Sequence, residues 1–193
     1  TDPKNTFGSV KRLIGRKYRK AKEDMKSVSY ECCFDDETKR VGIKVPNLGE
    51  DVSLLPEEIS SKVIERLVLE AERYRGLGRG TIEKAVITVP AYFDQTQVDA
   101  TIDAGMMAGL KVVKTLREPE AAALAYGVDV MNQDLDETIF VFDLGGGTFD
   151  VSVLEISGGA HACSCLVAVT ASSAVIRGMR VAWANPRGAR GQN

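Results

Sequence analysis

No acidic residue follows Glu155, and all 27 Asp and Glu of the 193-residue sequence lie at or before it. Histidine and tryptophan occur once each, at His161 and Trp183, both in the acid-free stretch. The N-terminus has no charged leader followed by an apolar block, so no secretory signal is visible. The sequence opens on Thr1 rather than Met, and we expect the start of the protein to lie upstream. It also contains no C-x₂-C pair. The cysteines are Cys32, Cys33, Cys163 and Cys165, and neither adjacent cysteines nor C-x-C match the usual zinc spacing. His161-x-Cys163-x-Cys165 has the right residue types for a ligand cluster, but the plainer reading is reduced thiols in an intracellular protein.

What remains is ordinary soluble globular sequence, 44 % apolar and 27 % charged, long enough for one or two domains with a real core. Four of the 25 basic residues fall after Ala160, so residues 1–159 carry 21 basic against 27 acidic groups, a net of −6, and the tail carries +4. A mildly acidic body argues against general nucleic-acid binding. Lys11, Arg12, Arg16, Lys17, Arg19, Lys20 and Lys22 do cluster without an acid, but no Phe or Trp interleaves and only Tyr18 is placed to stack. A solvated basic helix face accounts for them. Ile156–Ile176 runs 21 residues without a formal charge. The length suits a membrane span, but Ser, Thr, Gly and Ala dominate the run, and we expect no membrane segment.

Periodicity divides the chain. Pro56 suits a first helical position, and Glu57 and Glu58 suit the positive end of a helix dipole. Ile59, Val63, Ile64, Leu67, Ala71 and Tyr74 then predict one apolar stripe. Gly76-Leu77-Gly78-Arg79-Gly80 looks like a phosphate loop, but it follows a helix and precedes a strand, the reverse of the dinucleotide order, so a helix C-cap and connection is expected. Ala85–Val89 predicts a strand stopped by Pro90, and a helix over 96–108 follows. A second strand is expected over 111–116, then a helix over 120–126 opened by Pro119. This alternation indicates an α/β layer with some parallel sheet. Thr138–Leu144 and Phe149–Ile156 predict two strands joined by a glycine turn, and regular periods fade after Gly159.

The turn holds the chemistry. In Phe142-Asp143-Leu144-Gly145-Gly146-Gly147-Thr148-Phe149-Asp150 an acid ends an apolar strand, where a carboxylate without a partner is costly. Three glycines allow close approach, and their N–H groups can converge on an anion. Thr148 adds a hydroxyl and Asp150 a second acid. Two carboxylates repel a phosphate unless a cation stands between them, for which Mg²⁺ is the natural choice. A glycine-rich hairpin with incidental turn aspartates is the alternative.

Residues 141–154, VFDLGGGTFDVSVL, resemble the second phosphate-binding signature of the heat-shock 70 (DnaK-type) chaperone family. Asn5-Thr6-Phe7 with Val10-Lys11-Arg12-Leu13-Ile14-Gly15-Arg16, Leu55–Ser60, Ala85–Phe93 (AVITVPAYF) and Glu118–Gly127 (EPEAAALAYG) are similar to further segments of that family, in the same order over residues 5–159. The wording around Asn5–Arg12 is nearer the bacterial and plastid type. The resemblance implies an α/β, actin-like ATPase (ribonuclease H-like) fold, incomplete here. Residues 1–55 would be an outer mixed subdomain of the first lobe, and 56–135 its core α/β subdomain. Residues 136–159 would begin the second lobe with the phosphate hairpin, and 160–193 would be an atypical tail outside the fold, explained most simply by a reading-frame or splicing change.

The implied ligands are ATP or ADP with Mg²⁺. Lys11 would reach the γ-phosphate, while Gly145, Gly146, Gly147 and Thr148 would bind phosphate oxygens. Glu118, Asp143 and Asp150 would hold the metal through its water shell. Taken without the resemblance, Lys11 reads as a surface lysine and Glu118 as a helix N-terminal acid. The implied partners are client polypeptides, a J-domain co-chaperone and a nucleotide exchange factor, in the cytoplasm or an organelle of plastid or mitochondrial type. The family's first phosphate loop would lie before residue 5 and its adenine-binding segments beyond residue 160, so this stretch alone is expected to be inactive. Val98 stands where the family usually has a linker-contacting Arg, and Glu120 where it usually has Thr. A non-catalytic interaction module, or another actin-like ATPase, is the alternative.

Overall fold

The computed structural model describes residues 2–127, 134, 136–144, 148–157 and 160–170, with backbone alone at 148, 157 and 160–170. The N-terminal region folds as short 3₁₀ turns, Pro3–Asn5, Val10–Arg12 and Tyr18–Lys20, then helix α1 (Lys22–Lys26). Strands β1 (Cys32–Phe34), β2 (Val41–Lys44) and β3 (Ser53–Leu54) form an antiparallel sheet with β2 at its centre. Val10, Leu13, Ala21, Tyr30, Val41 and Ile43 form its buried core. The basic run therefore lies on turns more than on a helix face, and Arg16 pairs with Asp24 at 3.2 Å.

Helix α2 (Pro56–Arg75) starts at Pro56, where Glu58 accepts from the Leu55 N–H at 2.6 Å, and ends at Gly76, whose φ of 66° needs no Cβ. The expected stripe is corrected here. Val63, Leu67 and Tyr74 are 58, 64 and 90 % exposed, while Glu57, Ser61 and Glu72 are buried. These acids can face inward because one oxygen of each carboxylate has a partner, while Glu57 Oε2 and Glu72 Oε2 are buried with no hydrogen-bond partner among the described residues. Arg40 meets Glu57 at 2.7 Å, and the Ile82 N–H donates to Glu72 at 3.0 Å. Val63 and Leu67 instead line an apolar groove with Phe7, Val10, Ile14 and Ile87.

Strand β4 (Lys84–Val89), helix α3 (Gln95–Met107) and strand β5 (Lys111–Arg117) form a βαβ unit with β4 and β5 parallel. Asp94 caps α3 by accepting from the Gln97 N–H at 3.0 Å. A second core joins Ile14, Val89, Phe93, Ala100 and Ala104, with Val98 packed against it. Gly15 lets the first region approach α3. Its φ is 65°, and a Cβ there would sit 2.6 Å from the Gln97 Cα and the Thr96 carbonyl oxygen.

Helix α4 (Glu118–Tyr126) follows β5 directly. It contacts the third sheet, antiparallel β6 (Asp136–Leu144), β7 (Thr148–Ser157) and β8 (Ala160–Thr170), through a core of Ala123, Leu154 and Ile156. The sheet thus continues past Gly159. β8 pairs along β7 from Ala160 opposite Ser157 to Thr170 opposite Thr148, where the sequence led us to expect regular structure to fade. The reason is local, since β7 offers an edge that a neighbouring strand satisfies. Among the described residues no helix is long and apolar enough to cross a membrane.

Candidate functional site

Parallel strands deliver their C-terminal ends to one side of a layer, which is where open α/β sheets bind ligands. Val89 and Arg117 are paired at the ends of β4 and β5, so Pro90 and Glu118 emerge side by side. Arg117 ties the two exits together. Its guanidinium donates to the carbonyl oxygens of Pro90 and Ala91. Glu118 is the first residue of α4, and the chain's Glu120 reaches back to the Arg117 N–H at 3.4 Å. Glu at this position therefore acts as a capping side chain.

The third sheet brings the other acids. Asp143 and Asp150 lie directly opposite each other in the β6–β7 ladder, two pairs outward from Val141–Ser152. Lys11, carried on the Val10–Arg12 turn, forms an ion pair with Glu118 across 107 residues of sequence. A cleft of about 190 Å³ is lined by Ser9, Lys11, Arg12, Pro90, Tyr92, Glu118 and Asp150. A smaller adjoining space adds Ala91, Asp143 and Ser152.

Electrostatics mark Asp150 as the strained member. Burial pushes its carboxyl above the ordinary range, Asp143 and Glu118 push it further, and Lys11 partly offsets them. Its Oδ1 is buried with no hydrogen-bond partner among the described residues. Buried oxygens seldom stay unpaired, so this one has capacity for a donor or a hydrated cation. Among the described residues no three His, Cys, Asp or Glu side chains converge tightly enough to bind a metal directly. The donor set fits an ion held through its own waters better than a bare one.

Of the residues singled out from sequence, Lys11, Glu118, Asp143 and Asp150 come together. Gly145, Gly146 and Gly147 lie outside the described residues, as do the side chains of Thr148, His161, Cys163 and Cys165. Cys32 and Cys33 are free thiols on β1, far from this chemistry in role. Burial chiefly, with Cys33 and Glu31 adding to it, pushes the Cys32 thiol up to about 11. The reading from sequence missed Tyr92, Pro90 and Arg117. The signal for them was their place just beyond the ends of two predicted parallel strands.

An α/β layer with an acidic cleft at its strand ends is the class these observations define. The sequence model of the family described as "Hsp70 protein" matches residues 1–171. The "Chaperone protein dnaK" of Guillardia theta is 49 % identical over 158 residues, which is 82 % of this chain and 24 % of that protein. The "Chaperone protein dnaK3" of Thermosynechococcus vestitus is 50 % identical over 158 residues, 82 % of this chain and 22 % of its own length. The "Stromal 70 kDa heat shock-related protein, chloroplastic" of Spinacia oleracea is 49 % identical over 158 residues, 82 % and 25 %. The chain belongs to the Hsp70 family and has that family's α/β, actin-like ATPase fold, spanning about a quarter of the length of these relatives.

Proposed function

We propose that this cleft is part of the Mg²⁺–ATP site of an Hsp70-type chaperone, and that the full-length protein hydrolyses ATP to control its hold on unfolded polypeptides. The observation that carries the reading is the meeting of Lys11, Glu118, Asp143 and Asp150 at the strand ends, with one buried Asp150 oxygen left unpaired. Lys11 supplies the mobile positive charge for a terminal phosphate. Glu118 holds Lys11 aside when no phosphate is present and accepts hydrogen bonds from water when one is. Asp143 and Asp150 would hold a hydrated cation, and Gly145, Gly146, Gly147 and Thr148 would supply further phosphate contacts. Bound Mg²⁺ supplies charge neutralisation on the phosphate oxygens. The barrier is lowered by positioning and charge, with no covalent step on the protein.

Three sheets with three cores support the proposed division into an outer subdomain over 1–55, a core subdomain over 56–135 and a second lobe from 136, to which β8 adds residues 160–170. J-domain proteins and nucleotide exchange factors are the proposed regulators. The proposed setting is cytoplasmic or organellar, and the chloroplastic and Thermosynechococcus relatives support the plastid and bacterial-type reading.

Titration of a fluorescent ATP analogue into the full-length protein, with and without Mg²⁺, tests the site. Asp143→Asn should weaken Mg²⁺-dependent binding about tenfold, the scale of losing a group that orients a bound metal's shell. Asp36→Asn, in an exposed turn, should leave it unchanged. Equal magnesium dependence in both variants sinks the assignment, and no binding by the folded full-length protein favours a non-catalytic interaction role.

A further inference from the structure

Tyr30 carries a buried hydroxyl that the proposed site does not use. The residue is 5 % exposed, and its ring meets Phe7 edge-on with centroids 5.3 Å apart. A buried phenol needs a partner. This one donates to the carbonyl oxygen of Gly8 at 2.8 Å, a contact made across 22 residues of sequence.

Gly8 stands immediately before an unusual backbone position. Ser9 has φ 57° and ψ 25°, the left-handed region, and makes no side-chain cap bond. Residues other than glycine persist there when their surroundings over-determine them. The Val10–Arg12 turn begins at this point, closed by the Arg12 N–H to the Ser9 oxygen at 3.1 Å and the Leu13 N–H to the Val10 oxygen at 2.9 Å. Val10 and Leu13 are buried below it, while Lys11 leaves it toward Glu118. A single 3₁₀ turn has little rigidity of its own. Its direction is set by what holds its two ends. Leu13 holds one end by burial, and the other is held at Gly8.

We propose that Tyr30 is a positioning residue for Lys11. Its hydroxyl latches the Gly8 carbonyl, keeps Ser9 left-handed and so sets the direction in which Lys11 leaves the turn. The importance of this for activity rests on the reading of Lys11 as a phosphate-binding residue; the latch itself rests on geometry. Burial, with Cys32 beside it, pushes the Tyr30 hydroxyl up to about 12, so it keeps its proton and remains a donor at neutral pH.

The test uses the whole chain without nucleotide. Tyr30→Phe keeps the ring and removes the donor. The readout is the rate at which a small acylating reagent labels Lys11, followed by mass spectrometry. The side chain is 56 % exposed and so within reach of the reagent. Freed from Glu118, Lys11 should label about fivefold faster, the factor one hydrogen bond contributes to an equilibrium. Lys26, paired with Glu23 inside one helical turn, should label as in wild type. Ser9→Val resists the left-handed region and should raise Lys11 labelling with Tyr30 intact. A folded Tyr30→Phe chain whose Lys11 labels at the wild-type rate overturns the latch. If that variant does not fold, wild-type labelling in Ser9→Val overturns it. Protection of Lys11 by MgATP in the wild-type chain is scored separately, so the latch and the phosphate-binding reading can fail independently.

Discussion

Strands of two to four residues enclose a sealed core around β2, while β4 and β5, six and seven residues long, leave large valines in solvent. Leu13, Ala21, Val41 and Ile43 show no exposure, whereas Val86 and Val113 are 56 and 52 % exposed. The difference is one of layers. The N-terminal sheet is wrapped by turns and by the start of α2. The parallel pair has α3 packed against both strands and carries Val86 and Val113 uncovered, although parallel sheets are ordinarily covered on both faces. Strand length and regularity therefore say little here about how well a region is closed.

Substitutions can break this contrast at its strongest point first. Leu13→Ala should lower unfolding free energy by about 4 kcal/mol in urea denaturation, the middle of the range for a fully buried leucine. A loss under about 1 kcal/mol would show that the core is not sealed.

Arg40→Ala comes next, at about 3 kcal/mol near neutral pH, because it leaves a buried carboxylate uncompensated. Burial holds the Glu57 carboxyl above the usual range, while Arg40 pulls it down. A raised folded value means the native state binds the proton more tightly. The group's contribution to stability is thus complete at acid pH and is lost as pH rises through the raised value. Removing Arg40 removes the opposing pull, so the deficit of the variant should grow from about pH 4 to about pH 7. A deficit that shrinks over that interval contradicts the assignment.

Val86→Thr marks the other side of the comparison. It should change stability by less than about 0.5 kcal/mol, as exposed substitutions do. A larger loss would mean that the outer face of β4 is covered in solution.

The parts legible in the sequence are those with enough residues to establish a period. α2, α3, β4, β5, β6 and β7 run from six to twenty residues, and caps such as Asp94 and Gly76 fix their ends. β1, β2 and β3 are too short for alternation to register. The inward face of α2 was misread because Glu57 and Glu72 look like solvent residues until Arg40 and the Ile82 N–H are placed beside them. Of β8 only Cys165–Val169 was legible as a candidate short strand, because its residues lack the regular polar alternation that marks a half-buried strand. Within the site, Asp143 and Asp150 were legible as two arms of one hairpin. Lys11 and Glu118 were not legible from spacing, because nothing local connects residues 107 positions apart; the family resemblance supplied them.

The cleft borrows its walls from all three cores. Lys11 comes from the turn plugged by Val10 and Leu13, Pro90 and Tyr92 from the segment anchored by Val89 and Phe93, and the acids from α4 and its hairpin. The site is therefore a seam between separately packed units. A ligand that touches every wall binds only while the units stay together, and by mass action its affinity becomes resistance to their parting. At a hundredfold excess over its Kd that resistance amounts to about 2.7 kcal/mol. Filling and emptying the seam would tighten and loosen the joints between units while leaving each core as it is.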